Sequence, residues 1–184
     1  EQAPYVTGEL LQDGVDELYY EVGTTEKTAD LYTHMLLAIR RALRFGEHGL
    51  LLMGSGDWND GMSSIGNGGK GESVWLSWFM CDILEKMAPV CARRGDAKEA
   101  KNLSVTRDDL AAAIEKSAWD GKWYLRAYFD DGSPLGSHKN EECKIDAIAQ
   151  AWSVISRAGA PDRAAQAMES VKVHLASKEN GLIA

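Results

Sequence analysis

Cysteine and histidine are scarce here, with three and four respectively in 184 residues, and their placement excludes more than their number does. Cys81, Cys91 and Cys143 form no CxxC pair and no Cys-His cluster. Neither a metal site nor a disulfide framework is expected, and a reducing, cytoplasmic setting fits this region. Cys81 and Cys91 fall in an apolar helical pattern, where buried thiols are common. His34, His48, His138 and His174 have neither metal-ligand nor triad spacing and read as structural histidines. No GxSxG nucleophile turn occurs. No apolar run approaches the roughly 20 residues that cross a bilayer, and EQAPYVTGELL lacks the basic start and apolar centre of a signal peptide. Basic charge is also short: 20 Lys and Arg against 28 Asp and Glu give a net charge of −8. That balance argues against a nucleic-acid partner, because such binding rests on clustered cations. Arg40-Arg41 and Arg93-Arg94 are read as a solvated helix face and a helix C-terminus.

What is present is helical periodicity. The length suits one domain with a useful core, and 45% of residues are hydrophobic. Residues 26–45 carry Leu31, Met35, Ile39 and Leu43 in helical spacing, with Thr25 as N-cap and Gly46 as stop. GLLLM (49–53) is short and reads as extended. Residues 54–71 hold seven glycines and read as a loop. A long helix starts at Glu72 or Ser73; its polar stripe is so narrow that most of its surface must be buried. Pro89 is expected to kink or break it after Met87. A helical segment follows at GDAKEAKN, and Thr106 with Asp109 forms a capping box for DDLAAAIEKSAW. Residues 122–137 read as a hairpin or two extended pieces, 142–157 as a helix, and Pro161 as the start of a last helix. The expectation is an all-α chain of five or six amphipathic helices, with long glycine-rich loops and little strand.

Chemistry concentrates in GSGDWNDGM (54–62). GNGGKGES (66–73) fails as a phosphate loop, because Lys70 is followed by Gly71 and Ser64 stands where the first glycine belongs. An EF-hand reading of DWNDG also fails, with Gly61 at the fifth position and Gly68 at the twelfth. Asp57, Trp58, Asn59 and Asp60 can be a plain polar turn, since Asn-Asp-Gly is a strong turn signal. They can equally serve a sugar. An indole offers a flat face for a pyranose, and a carboxylic acid beside it can protonate a glycosidic oxygen if its pKa is raised.

GSGDWNDGM, GKGESVWLSWF and AWDGKWYLRAYFDDGSPLGSHKNEECKIDAIAQAW, in that order, resemble the cellobiose-phosphorylase-like family of inverting glycoside phosphorylases. The IDAIAQAW form is most similar to the phosphorylase-like C-terminal region of bacterial cyclic β-1,2-glucan synthases and to β-1,2-oligoglucan phosphorylases. The likeness covers essentially the whole chain. It implies an (α/α)6 barrel of twelve helices, of which this chain would be about half, a single fragment over 1–184 truncated at both ends. It implies phosphorolysis of a β-glucan oligosaccharide to α-glucose 1-phosphate, with chain-length control in cyclic glucan synthesis. Inorganic phosphate is the implied co-substrate, with no other cofactor. Asp60 matches the family's general acid, and Trp58 the sugar-site tryptophan. Asp57 is carried over as a supporting or sugar-binding residue, with Glu142 and Lys144 as further substrate-binding residues. The family's phosphate-binding His and Thr-Gly lie C-terminal to this chain, and the Arg and Asp that grip the non-reducing sugar lie N-terminal to it. The fragment is therefore expected to be inactive alone. Its parent would be anchored in the bacterial inner membrane, and exposed inner-helix surface at Trp75, Trp78 and Phe79 would drive self-association. The competing expectation is a non-catalytic carbohydrate-binding or helical interaction module.

Overall fold

Capping side chains, rather than the ends of the apolar stripes, set the starts of four of the five helices among the described residues. The computed structural model describes residues 1–9, 12, 15, 18–177 and 179–183, and of Asp60 the backbone alone. The chain divides into two units, Glu1–Arg44 and Phe45–Ala184.

In the first unit, β1 (Gln2–Val6) pairs antiparallel with β2 (Thr24–Asp30), with a register irregularity between Pro4 and Val6. Helix α1 (Leu31–Ala42) follows directly and buries Leu36 and Ile39. Its N-cap is Asp30, whose Oδ1 accepts the Thr33 N–H (2.9 Å) and hydroxyl (2.7 Å). The helix expected from residue 26 with Thr25 as cap therefore begins five residues later. TTEKTAD carries three threonines, a composition that suits a strand. The helix also stops before Gly46, with Leu43 as C-cap.

The second unit holds the other four of the five α-helices among the described residues. β3 (Leu51–Leu52) and β4 (Glu72–Ser73) bracket the glycine-rich loop, within which Asp60–Ile65 winds as a 3₁₀ turn. Helix α2 (Val74–Arg93) starts at its cap Ser73, whose Oγ accepts the Leu76 N–H at 3.0 Å. Such a cap contributes about 1 kcal/mol. Helix α3 (Ala97–Ser117) is capped by Asp96. β5 (Ala127–Tyr128) and β6 (Pro134–Leu135) form the hairpin expected within 122–137. Helices α4 (Ala147–Ile155) and α5 (Pro161–His174) follow, then β7 (Ala176–Ser177) paired with β8 (Leu182–Ile183). The sheet order is β3-β4-β5-β6, antiparallel throughout, so Ser73 lies opposite both Leu51 and Ala127. Helix α2 packs along α3 and against α4, and α4 packs on α5.

Two helix expectations are corrected. Pro89 does not end α2, which continues to Arg93. A mid-helix proline costs about 3 kcal/mol. Burying Trp75, Trp78, Met80, Leu84 and Met87 on this one helix outweighs that at about 1.5–3 kcal/mol per large side chain. The Thr106–Asp109 capping box does not form either. α3 is continuous through it, and the Thr106 hydroxyl donates back to the Asn102 carbonyl at 2.9 Å. The exposed inner face is corrected too. Trp78 is fully buried and meets Tyr124 edge-on at 5.2 Å, Trp75 is buried, and Phe79 is half-buried. Covered in this way, Trp75 and Trp78 offer no apolar surface for self-association.

Candidate active site

The GDWNDGM segment is held from below by charge. Asp57 and Arg126 form a two-point ion pair, Nη1 to Oδ2 and Nη2 to Oδ1, each at 2.7 Å. The Asp57 side chain is 0% exposed and that of Arg126 is 2% exposed. The Ser73 hydroxyl donates to Asp57 Oδ2 at 2.5 Å, and the Asn59 N–H donates to Oδ1 at 3.1 Å. Burial alone would raise the Asp57 pKa. The hydrogen bonds from Arg126 and Ser73, the guanidinium charge and the Asn59 N–H outweigh it and hold the carboxyl below its ordinary value. Asp57 therefore acts as an anchor whose oxygens are already engaged.

A second anchor shapes the far end of the loop. Asp130, in the β5–β6 connection, accepts the backbone N–H groups of Gly68 (2.6 Å), Lys70 (2.8 Å) and Gly71 (2.8 Å). These bonds, that from Lys70 foremost, hold its carboxyl below the ordinary value. Gly71 also needs to be glycine, because a Cβ there would overlap the Ile65 carbonyl and come within 2.6 Å of Gly66 Cα.

Between these anchors Trp58 projects outward, 71% exposed. Its ring lies 6.3 Å from that of Trp75, which stacks on Phe79 at 5.5 Å and meets Trp152 edge-on at 6.2 Å. Trp58, Asn59 and Arg126 line a cleft of about 490 Å³ together with Ile145, Asp146 and Ile148. A cleft of this size is in the ordinary range for small-ligand sites. Asn59 accepts the Gly61 N–H at 3.0 Å and so starts the 3₁₀ turn at Asp60. The side chain of Asp60, the expected acid, lies outside the described residues.

Glu142 and Lys144 are both exposed and do not line this cleft. The Lys144 carbonyl instead accepts the Trp123 indole N–H at 2.8 Å. Sequence reasoning missed Arg126 and Asp146. Asp146 Oδ1 caps α4 through the Ile148 N–H (2.8 Å), and its Oδ2 faces Arg126 Nε at 3.3 Å. Arg126 stands in the run Trp123–Ala127, buried throughout. A lone charge in so apolar a stretch was the available signal. Gln150 fixes α4 against this segment by exchanging two hydrogen bonds with the Tyr124 backbone, at 2.9 and 2.8 Å.

The histidines are occupied by the fold: His34 on the Ala3 carbonyl, His48 on Glu72, His138 on Asp120, and His174 against the Trp123 ring. Among the described residues no group of three or more His, Cys, Asp or Glu could hold a metal ion, and no helix is long and apolar enough to cross a membrane.

Residues 3–184 match the family model described as the glycosyl hydrolase 94 superfamily, catalytic domain. The chain is 38% identical, over its full length, to a cyclic beta-(1,2)-glucan synthase of Rhizobium meliloti, of which it spans 6%. It is 35% identical over 90% of its length to a 3-O-beta-D-glucopyranosyl-beta-D-glucuronide phosphorylase of Paenibacillus borealis, spanning 22% of that protein. To a solabiose phosphorylase of the same organism it is 38% identical over 88% of its length, spanning 21%.

Proposed function

This chain belongs to the glycosyl hydrolase 94 superfamily, and we propose that it is the acid-bearing part of an inverting phosphorylase-type domain that acts on β-glucan. Its helices would supply about half of an (α/α)6 barrel in a longer parent. Asp60 donates a proton to the glycosidic oxygen as the C1–O bond breaks. Inorganic phosphate forms the new C1–O bond from the opposite face, giving an α-sugar 1-phosphate. The phosphate thus takes the place of the base-activated water of an inverting hydrolase. Trp58 carries the sugar ring by stacking. Asp57 serves the site as a positioning residue, because its carboxylate is spent on Arg126 and Ser73.

The observation that carries this reading is the exposed Trp58 indole at the edge of the cleft, two residues from Asp60, on a loop anchored by a buried ion pair. A turn with no ligand to bind gains nothing from exposing its largest side chain. The two phosphorylases and the synthase similar to this chain support sugar chemistry of this class. The likeness to the synthase favours a β-1,2-glucan and a role in setting chain length. The groups that bind phosphate and the outer sugar come from other parts of the parent, so the chain alone is inactive. Any membrane anchor would likewise lie in those parts.

The test is phosphate-dependent release of glucose 1-phosphate from β-1,2-glucan by the intact parent, wild type and Asp60→Asn. Release by the wild type that disappears in the variant is expected. Sugar binding without release in the wild type would make this a binding module.

A further inference from the structure

We propose that Asp146 is a substrate-contact residue: held by Arg126, it accepts hydroxyl groups of the pyranose that stacks on Trp58. The assignment rests on the sugar reading above.

Three observations converge on it. Asp146 lines the same cleft as the exposed Trp58, and its side chain is 36% exposed there. Oδ1 caps α4, while Oδ2 is ion-paired with Arg126 Nε and accepts no hydrogen bond among the described residues, which leaves its lone pairs open to the cleft. Arg126 Nε is buried and lacks a hydrogen-bond partner, although Oδ2 lies 3.3 Å away without the alignment for one. Capping accounts for the first oxygen and the charge of Arg126 for the position of the second, but neither gives Oδ2 a hydrogen-bond donor.

A pyranose presents an apolar C–H face and an equatorial rim of hydroxyls. It needs a flat platform and, at its edge, an acceptor with free lone pairs. Trp58 is the platform and Oδ2 the acceptor. Ile145 and Ile148 beside it are apolar, so on that part of the lining the carboxylate is the acceptor a hydroxyl would meet. Arg126 is the positioning residue. Its Nη atoms grip Asp57 on the loop that carries Trp58, and its Nε faces Asp146 on α4, so one guanidinium sets the spacing between platform and acceptor. Wrong hydroxyl patterns leave Oδ2 unpaired, which makes Asp146 a determinant of specificity.

The experiment is calorimetric titration of the intact parent with a β-1,2-linked glucose disaccharide and its mono-deoxy analogues, without phosphate. Trp58→Ala serves to identify binding in this cleft. Asp146→Ser keeps an N-cap residue but is too short to reach the cleft, and Asp146→Asn keeps both cap and shape while removing the charge. Circular dichroism confirms that both variants fold. We expect Asp146→Ser to bind the disaccharide about 10- to 100-fold more weakly and Asp146→Asn to fall in between. One deoxy analogue should be penalised in the wild type and not further penalised in Asp146→Ser. Wild-type affinity in Asp146→Ser, or the same deoxy penalty in both proteins, overturns the assignment to Asp146 alone. A wild type that binds no disaccharide overturns the sugar reading and this proposal with it.

Discussion

Arg126 stands between two carboxylates, with each of its terminal nitrogens 2.7 Å from an oxygen of Asp57 and its Nε 3.3 Å from Asp146. The first contact is fully buried and the second opens onto the cleft. One side chain thus connects the segment expected to carry the acid to the first turn of α4.

Arg126→Ala is expected to destabilise the chain by about 3–5 kcal/mol, because it leaves the Asp57 carboxylate buried without its counter-charge. Urea unfolding measures this. The double variant Asp57→Ala, Arg126→Met removes both charges and should recover much of the loss.

Acid should act through the same pair. The folded-state pKa of Asp57 lies below its ordinary 3.8, as does that of Asp120, where N–H groups from His138, Trp123 and Lys122 outweigh burial. A depressed folded value stabilises the fold above the unfolded value, and that stability is lost as pH falls through the folded value. Melting temperature should therefore hold steady from neutral pH down to about 5 on account of these two groups. Below the ordinary carboxylate range it should drop. Asp57→Asn should be less stable at neutral pH and show a shallower acid decline.

Trp58→Ala should separate binding from folding. An exposed side chain contributes little to stability, so unfolding should shift by no more than about 0.5 kcal/mol. Affinity of the intact parent for β-glucan oligosaccharide should fall about tenfold, as loss of one stacking contact implies. Titration followed by tryptophan fluorescence reads both the loss of affinity and the loss of a solvent-facing fluorophore.

Thiol chemistry should distinguish the cysteines. Cys143 is exposed, whereas Cys81 and Cys91 are fully buried, and burial pushes the Cys81 thiol up to about 12. One equivalent of a thiol reagent should react rapidly with the native chain and two more only on unfolding. Fast reaction of a second thiol would mean that α2 opens in the native state.

The legibility of these features follows their range. Apolar stripes placed α2 and α5, and a Pro at N1 marked the start of α5, because helix periodicity and capping are local; the stripe expected over 142–157 coils only from Ala147 to Ile155, since Asp146 caps it and Ile145 stays outside. The 26–45 stripe was right about Ile39 as core and wrong about the start, because pairing of β2 with β1 claims residues that could otherwise coil. The DWND stretch stood out by composition. Its two anchors did not, because Arg126 lies 69 residues from Asp57 and Asp130 lies 62 from Gly68. No periodicity links positions so distant. Only the lone charge inside WYLRAY hinted at the first of them.

The staple on the glycine-rich loop also orders events in time. Asp130 must be present before the N–H groups of Gly68, Lys70 and Gly71 have their acceptor, and it leaves the ribosome about sixty residues after them. The segment with the densest chemistry is thus translated early and shaped late. A nascent chain halted before residue 126 would hold the whole glycine-rich loop but neither the Arg126 guanidinium that grips Asp57 nor the Asp130 carboxylate that ties down Gly68, Lys70 and Gly71.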